Sequence, residues 1–550
     1  MKRIAAAFIA LVMICCCFTV SASALKDSYN FDTKTLNGIL DTYRKAVKNG
    51  ETYVDLSAYG IYDSSSGETY SELARLFSFV NGDVGSISYG KYSETYVTTE
   101  IDRDSSSKAI KGAKLTYSER YRNDDGTCNK DLVKKDEKIV QERFNKAKSA
   151  VNRKMTDTEK ALVLYDYLIT SADYPESLGT DSDGIEIYKD DAYKAAGFLL
   201  DRSAVCAAYA KLYAILLNES GVPAVTVDSD DINHEWVMLK VDGEWYHADI
   251  TWDDPYYDDG YTFLGDSNDD HWDLGAVTHE YFLKSDEEIT ELGHPDWTLS
   301  YNVNPDMMTS VPESGPSGKF DNMFFSDKND TFYCCSRMNY INGNWYFIDL
   351  KSCTVIRANI DGTYENLPLP KTVFPKYSSG YGNDLYILSN KRLYRYDVVS
   401  DKYAKILEIP EDSPNSVYSE MRILDDEMTI VSVDYIYEEG NEEPVGHTSS
   451  ETVYKMTELE SKEALPADDD DEEEEESTAE RSDSIPSGSK TPLPEDNDKP
   501  INEDQERELM EIAETAGKRI SAMIYIGAAV VFLIFAAIAI VLAIKYSKKR

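Results

Sequence analysis

Residues 201–227 read DRSAVCAAYAKLYAILLNESGVPAVTV and are the first part of the segment from which we predict the fold. Its apolar spacing predicts a helix from about Ala204 to Asn218, with Ser203 as the N-cap and a glycine and a proline just beyond its end. Cys206 then lies in the first helical turn, where free backbone N–H groups and the positive helix end favour a thiolate and would stabilise an oxyanion. A lone cysteine in such a place is more often a small buried residue, so the neighbouring sequence decides between the two interpretations.

The second part of the stretch, residues 234–255, reads HEWVMLKVDGEWYHADITWDDP and predicts a β-hairpin. His234 to Val241 alternates like a strand, and Asp242-Gly243 is a strong signal for a two-residue turn. The expected return strand runs from Glu244 to Trp252.

The register of this hairpin brings a base and a carboxylate together. His234 becomes a diagonal neighbour of Asp249 on one face, with Cα atoms about 7–8 Å apart, whereas a slip of one residue would put them on opposite faces. With Cys206, they form the nucleophile, base and orienting group of cysteine acyl transfer. His247 lies on the same face and is the rival base, but it is only two residues from Asp249 on one strand and uses that carboxylate less readily.

These motifs, together with the upstream helix KALVLYDYL, resemble the transglutaminase-like superfamily in its secreted bacterial branch. The resemblance covers about residues 30–300 and rests on a cysteine helix, His-x-Trp, Gly-x-Trp-Tyr and Asp-x-Thr-Trp-Asp-Asp-Pro in that order. It implies an α+β fold with a papain-like transglutaminase core. Cys206, His234 and Asp249 match the family's catalytic triad positions.

One departure from the family pattern bears on whether the domain is active. The family often has glycines and a glutamine around its cysteine, whereas this chain has Ala204, Ala207 and Ala208, whose methyl groups would narrow the approach of a substrate. A degenerate domain kept as a scaffold is therefore the alternative to an enzyme. Trp236 is a candidate for the substrate cleft, although such aromatic residues usually form core.

The two ends of the chain predict its location. Residues 1–24 combine a basic start, an apolar run and a small-residue site before the cut, as a signal peptide does. Residues 520–544 are uncharged and long enough for one transmembrane helix, and the basic tail 545–550 predicts a cytoplasmic end. We therefore expect a single-pass protein of the cell membrane with its N-terminal bulk extracellular.

The sequence between these ends divides into four regions by composition. An α/β region at 25–152 precedes the transglutaminase-like domain at 153–300. Short β-rich runs at 318–457 repeat loosely and predict an all-β meander or partial propeller. Residues 458–519 are highly acidic and predict a disordered linker.

Composition and motifs exclude several functions. The 550 residues include 100 Asp and Glu against 56 Lys and Arg, a net charge of −44, which argues against a nucleic-acid partner. Neither zinc nor calcium spacing is found, and no glycine loop suits a nucleotide, so we expect no metal and no cofactor. The mature chain keeps an odd number of cysteines, which predicts at least one free thiol: Cys128, Cys206, Cys334, Cys335 and Cys353.

The sequence therefore predicts a membrane-anchored extracellular cysteine enzyme that forms a thioester with a carboxamide or peptide carbonyl. Cross-linking and hydrolysis both fit, so the expected class is a cysteine acyltransferase or a cysteine peptidase. The expected partner is an extracellular protein or peptide, such as a cell-wall peptide. The alternative is an inactive transglutaminase-like scaffold that acts in cell-surface adhesion or wall organisation.

Overall fold

The computed structural model describes most of the chain between residues 33 and 465. The predicted signal peptide 1–24, transmembrane helix 520–544 and tail 545–550 lie outside the described residues, as does most of the predicted linker. None of the described helices is long and apolar enough to cross a membrane. Within the described span the gaps are 170, 183, 255–278, 301–309, 327, 329–334, 351, 368, 370–372, 374, 390–391, 410–415 and 437–445.

The N-terminal region mixes helices with short antiparallel strands, as its patterning predicts. The strand β6 is central, because β5 pairs along one edge of it while β1 and β2 share the other. The elements are α1 (Thr33–Asn49), β1 (Tyr53–Asp55), β2 (Ile61–Tyr62), α2 (Glu68–Val84), β3 (Ser86–Tyr89), β4 (Tyr92–Thr95), β5 (Val97–Arg103), β6 (Ala109–Tyr117) and α3 (Lys130–Ser149).

The middle region is an antiparallel sheet with a helix packed on one face. The strand order is β10-β9-β8-β7-β11. Its elements are α4 (Asp157–Ile169), α5 (Ala195–Asp201), α6 (Cys206–Glu219), β7 (Ala224–Ser229), β8 (His234–Val241), β9 (Glu244–Ala248), α7 (Ile250–Asp253), β10 (Phe282–Lys284), α8 (Asp286–Glu291) and β11 (Thr298–Leu299).

The pleat of β8 separates two hydrophobic clusters. Val237 and Leu239 lie in the main core, which also contains the buried face of α6. Trp236 and Met238 point the other way and pack with residues of β7 in a smaller cluster. This alternation follows from the two-residue period of a strand and fixes α6 against one side of the sheet.

The C-terminal region is a meander of three antiparallel sheets, as the repeats predict. The first strands of successive sheets, β12, β16 and β20, lie side by side as in propeller blades. The strands are β12 (Asn339–Ile341), β13 (Asn344–Asp349), β14 (Thr354–Ala358), β15 (Tyr364–Asn366), β16 (Pro375–Tyr381), β17 (Asp384–Ser389), β18 (Arg392–Asp397), β19 (Lys402–Glu408), β20 (Ser416–Leu424), β21 (Glu427–Ile436) and β22 (Gly446–Lys455).

A short helix, α9 (Met456–Glu460), follows the last strand and corrects one predicted boundary. The acidic linker was expected to start at residue 458, but Met456 and Leu459 are fully buried against the second and third sheets. Two apolar side chains four residues or fewer apart are enough to hold one helical turn on the sheet surface. The described structure continues to residue 465, so the linker begins later than its composition suggests.

The three regions share one hydrophobic core. The main cluster includes Phe144 of the N-terminal region, Leu212 of α6 and Trp345 of the first C-terminal sheet. Phe324 joins the last two regions, with its ring centroid 5.9 Å from that of Trp345 and 5.5 Å from that of Phe325. The first sheet is thus built into the same core as the sheet that carries His234.

Ion pairs fasten the third C-terminal sheet to the earlier helices. The turn between β20 and β21 presents Asp425, which lies 2.8 Å from Arg143 Nη2 and 3.3 Å from Arg202 Nη2. Next to it, Asp426 accepts a hydrogen bond of 2.9 Å from Lys146 Nζ. Because Arg202 is only four residues before Cys206, this turn contacts the segment that leads into the candidate nucleophile.

Candidate active site

Cys206 is the first residue of α6, as its predicted place in the opening turn requires. The expected cap is wrong in detail: the helix begins at residue 206 instead of 204, and Val205 is the N-cap, with extended backbone. Backbone bonds hold the preceding segment extended, because the Ala204 N–H donates to Asp173 O and the Val205 N–H donates to Ala192 O. Ser203 is therefore part of a parallel bridge with Asp173 and does not cap the helix.

The start of α6 offers donors to a developing negative charge. The N–H groups of Cys206 and Ala207 belong to the first turn, where no earlier helical carbonyl is available to accept them. The Cys206 side chain is partly exposed, whereas Ala204 and Ala208 are fully buried. The methyl groups of these two alanines point into the core, so only Ala207 can narrow the approach to the sulfur.

The predicted register of the β8–β9 hairpin is confirmed. Val241 pairs with Glu244, and Asp242 and Gly243 form the turn with φ values of 50° and 84°. Positive φ at both central positions is the geometry that Asp-Gly turns favour between twisted strands. The pairing continues to Val237 opposite Ala248.

The return strand is shorter than predicted, because it ends at Ala248 and not at Trp252. Asp249 is instead the N-cap of the short helix α7, and its Oδ1 accepts the Thr251 N–H at 2.9 Å. An Asp side chain competes well for such a backbone donor, which explains why the strand stops there. The cap leaves the other carboxylate oxygen, Oδ2, to face the sheet.

His234 and Asp249 form a buried hydrogen bond. His234 Nε2 lies 2.6 Å from Asp249 Oδ2, and the two residues are 6% and 1% exposed. Burial lowers the pKa of His234, but its ion pair and hydrogen bond with Asp249, and then its interaction with Cys206, outweigh this and raise the pKa to about 10. Burial raises the pKa of Asp249, but the two histidines that bond to it hold the pKa well below its usual range.

The second ring nitrogen of His234 is the one left for Cys206. Because Nε2 is bonded to a carboxylate, it carries a proton, and the electrostatic interaction of His234 with the Cys206 side chain is left to Nδ1. The three expected site residues are therefore together: a sulfur at a helix start, an imidazole and a carboxylate. This is the order of contacts that proton transfer from a thiol requires.

His247 is fully buried and has both ring nitrogens occupied. Trp236 Nε1–H can only donate, so the His247 Nδ1 that it contacts at 2.9 Å has no proton. His247 Nε2 lies 2.9 Å from Asp286 Oδ1. Burial lowers the pKa of His247 despite Asp286, which makes it a neutral structural residue and not a rival base.

Trp236 does not line a substrate cleft. Its side chain is 1% exposed, and its ring stacks on His234 at 6.0 Å with an interplanar angle of 18°. The cleft role considered for it from the sequence is therefore corrected, because a side chain enclosed between β7 and two histidines has no face left for a substrate. Its place is beneath the base.

His294 joins the site although its sequence position gives no sign of it. Its Nε2 lies 2.9 Å from the same Asp249 Oδ2 that binds His234, and its side chain is fully buried. The residue follows α8, 45 positions after Asp249. Only the antiparallel return through β10 and α8 brings it back, so local spacing could not reveal it.

Two tyrosines hold the chain that leaves the hairpin. The Tyr165 hydroxyl contacts the Asp249 backbone carbonyl at 2.7 Å and Asp253 Oδ2 at 2.5 Å. The Tyr209 hydroxyl donates to Asp254 Oδ2 at 2.8 Å. The acidic residues of the Asp-Ile-Thr-Trp-Asp-Asp motif are thus anchored to α4 and α6, and this fixes the position of the Asp249 backbone.

The side chains of His234, Asp249 and His294 are also of the types that bind a metal, and their ligand atoms lie within 4.8 Å of one another. The two contacts with Asp249 are 2.6 and 2.9 Å. Ligands around a tetrahedral zinc ion, each about 2.0–2.1 Å from it, are roughly 3.3 Å apart. The spacing in this cluster fits shared protons better than a shared metal ion.

A surface cavity of about 280 Å³ lies at the other end of the hairpin, beside Asp242, Lys319 and Phe320. His234 and Asp242 are at opposite ends of β8. This cavity is therefore remote from the cysteine and forms no part of the site.

The family comparison decides the identity of this region. Residues 145–250 match the model of the transglutaminase-like superfamily, a range that contains Cys206, His234 and Asp249. The chain carries a transglutaminase-like domain. The match starts in the last turns of α3 and ends where α7 begins.

The chain also has distant likeness to solved structures. A TGase is 14% identical with a TM-score of 0.19, covering 38% of this chain and 54% of its own. A protein provisionally described as a cysteine protease, from Cytophaga hutchinsonii, is 14% identical with a TM-score of 0.15, covering 28% and 61%. The chain spans about half the length of the TGase. No curated protein sequence matches the chain.

The raised pKa of His234 predicts a pH-dependent stability. A folded-state pKa of about 10, above the ordinary 6.5, means that protonated His234 stabilises the fold fully below about pH 6.5 and that this contribution is lost as pH rises towards 10. We expect the unfolding free energy of the wild type to exceed that of His234→Ala most at acidic pH, with the difference shrinking in alkali. Urea titrations across this range measure it.

The matched control is His247→Ala. Because burial lowers the pKa of His247, its neutral form is the stabilising one, and the difference from wild type should not shrink in alkali. A His234→Ala difference that stays constant from acid to alkali would contradict the charged His234–Asp249 pair.

Proposed function

We propose that the chain is a cysteine acyl-transfer enzyme of the transglutaminase-like kind, in which Cys206 forms a thioester with a carboxamide or peptide carbonyl. The 2.6 Å bond between His234 and Asp249, next to a partly exposed thiol, carries the proposal. A base held by a buried carboxylate and touching a nucleophile is the arrangement that activates cysteines in unrelated folds.

The first half of the reaction follows from the contacts. With its proton already held by His234 Nδ1, the Cys206 sulfur attacks the carbonyl carbon to form a carbon–sulfur bond. The electron pair displaced onto the carbonyl oxygen is stabilised by N–H groups of the first turn of α6. The carbon–nitrogen bond then breaks as His234 returns its proton to the leaving nitrogen, which departs as ammonia or an amine.

The second half reverses these roles. An amine or water gives a proton to His234 Nδ1 and attacks the thioester carbonyl, and the carbon–sulfur bond breaks to restore the sulfur. An amine yields a new amide and hence a cross-link, whereas water yields an acid. During both halves Asp249 keeps its bond to His234 Nε2–H, so the tautomer of the imidazole does not change.

The proposed location and substrate rest on the sequence ends. The signal-like segment 1–24 and the apolar segment 520–544 support a single-pass protein whose enzyme domain faces the outside of the cell. An extracellular protein or peptide, such as a cell-wall peptide, is the substrate class that this location supplies.

A test of the nucleophile does not need the substrate. We expect iodoacetamide near neutral pH to alkylate Cys206 rapidly and Cys128 very slowly, because Cys128 is 7% exposed and burial raises its pKa to about 11. His234→Ala should slow the labelling of Cys206 by at least about tenfold, since the thiolate loses its cationic partner. Peptide mass spectrometry of the labelled, folded protein gives both rates.

Unfolding in urea is the control, because it should make both cysteines react at similar rates. Slow labelling of folded Cys206 at every pH below about 8, or equal rates in wild type and His234→Ala, would favour the scaffold alternative.

A second experiment separates transfer from hydrolysis. Surface proteins of cells with wild-type protein are compared by mass spectrometry with those of cells carrying Cys206→Ala. Isopeptide links that depend on Cys206 indicate a transferase, and chain ends that depend on Cys206 indicate a peptidase. Identical peptide sets in the two strains would contradict an enzymatic role.

A further inference from the structure

His294 lies within hydrogen-bonding distance of the carboxylate that orients the base. Its Nε2 is 2.9 Å from Asp249 Oδ2, and the backbone N–H of His294 donates to Ile289 O at 3.1 Å. The side chain is fully buried. This contact places a second imidazole on the same carboxylate oxygen that binds His234.

Asp249 is bound by three donors from three places in the chain. Oδ2 accepts from His234 at 2.6 Å and from His294 at 2.9 Å, while Oδ1 accepts the Thr251 N–H at 2.9 Å. The Thr251 bond alone would let the carboxylate rotate about its Cβ–Cγ bond. Two donors on Oδ2 fix the plane of the carboxylate, and the plane determines how squarely Oδ2 meets His234.

His294 packs among aromatic rings that would accommodate an apolar aromatic side chain as well as a histidine. Its ring centroid lies 4.3 Å from that of Trp252, 4.7 Å from that of Trp236 and 5.4 Å from that of Tyr281. His294 Nδ1 is buried without a hydrogen-bond partner among the described residues. An apolar ring would avoid the cost of that nitrogen, so the feature that distinguishes histidine here is the Nε2–H donated to Asp249.

We propose that His294 is a positioning residue of this site, which holds the Asp249 carboxylate in the orientation that binds His234. The inference rests on the proposed function of Cys206 and His234 and adds a fourth residue to their arrangement. The described contacts of His294 are with Asp249, His234 and aromatic rings, so we expect its influence to reach Cys206 through Asp249 and His234.

Several ionisable groups lie close to the Asp249 carboxylate and can affect how the rate of Cys206 labelling depends on pH. His234 lies on β8, and the interaction with Cys206 of α6 contributes to its raised pKa. Tyr281 lies beside His294 just before β10, and burial, followed by nearby carboxylates that include Asp249, raises the pKa of Tyr281 to about 12. Tyr165 contacts the Asp249 carbonyl from α4.

The test measures the rate of Cys206 alkylation by iodoacetamide against pH for wild type, His294→Phe and His294→Gln. Phenylalanine keeps an aromatic ring in the cage and removes the donor, whereas the glutamine amide can replace Nε2–H. We expect His294→Phe to lower the rate of Cys206 labelling about tenfold near neutral pH, because a carboxylate that can rotate holds the His234 imidazole less well. His294→Gln should restore most of the wild-type profile.

The control is His279→Phe, which removes a different buried histidine whose Nε2 lies 3.2 Å from Asp166. It should lower stability without moving the profile. A His294→Phe profile that overlays the wild type, or a His294→Gln profile displaced as far as that of His294→Phe, would overturn the inference. If His294→Phe does not fold, His294→Leu, which also lacks the donor, takes its place in the comparison with His294→Gln, and equal labelling rates in these two variants overturn the inference.

These outcomes are distinct from a failure of the proposed function. That failure appears in the wild type itself, as slow labelling of Cys206 that His234→Ala leaves unchanged. A wild type that labels rapidly, together with a His294→Phe variant that labels identically, leaves the cysteine enzyme standing and removes only His294 from its machinery.

Discussion

The site depends on one buried hydrogen bond, between His234 Nε2 and Asp249 Oδ2. A carboxylate in a nearly dry interior is costly unless it is bonded to donors, and an imidazolium there needs a counter-charge. His234 gives the carboxylate a hydrogen-bond donor, and Asp249 gives the imidazolium a counter-charge. The pKa of His234 is therefore raised and that of Asp249 is lowered. The bond explains why a charged base can persist a few ångströms from a hydrophobic core.

The bond in turn depends on strand register. The Asp242-Gly243 turn fixes which residues of β8 and β9 pair, and side chains alternate between faces with a period of two. Tyr165 and the Thr251 N–H then hold the chain just past the strand, so Asp249 is both the end of the ribbon and the cap of α7. Helix α6 packs on the same sheet and brings Cys206 to His234.

Local rules in the sequence predict most of this arrangement. The hairpin register, the cysteine at a helix start and the pairing of His234 with Asp249 all follow from spacings of twenty residues or fewer, or from one turn signal. Local rules do not predict contacts between distant segments. The backbone carbonyls of Asp173 and Ala192 accept hydrogen bonds from residues 204 and 205, so the helix begins only at Cys206 and Ser203 is not its N-cap. His294 escapes for the same reason, since its approach to Asp249 requires the complete antiparallel return.

The aromatic residues illustrate a second limit. From the sequence alone, a tryptophan next to a catalytic base can line a cleft or belong to the core. The 1% exposure of Trp236 in the structure places it in the core. Likewise, acidity alone extends the predicted linker back to residue 458, whereas the buried Leu459 holds the chain on the sheets for several residues more. The β-repeat sheets share the core of the transglutaminase-like domain, so they contribute to its stability as well as to its outer surface.

The most direct test of the account is the ultraviolet absorbance of the Cys206 thiolate, taken as the difference between the folded wild type and Cys206→Ala while pH is varied. We expect thiolate absorbance at neutral pH in the wild type and the loss of most of it in the His234→Ala background. Neutral-pH absorbance that is the same whether or not His234 is present would contradict this charged arrangement of Cys206, His234 and Asp249.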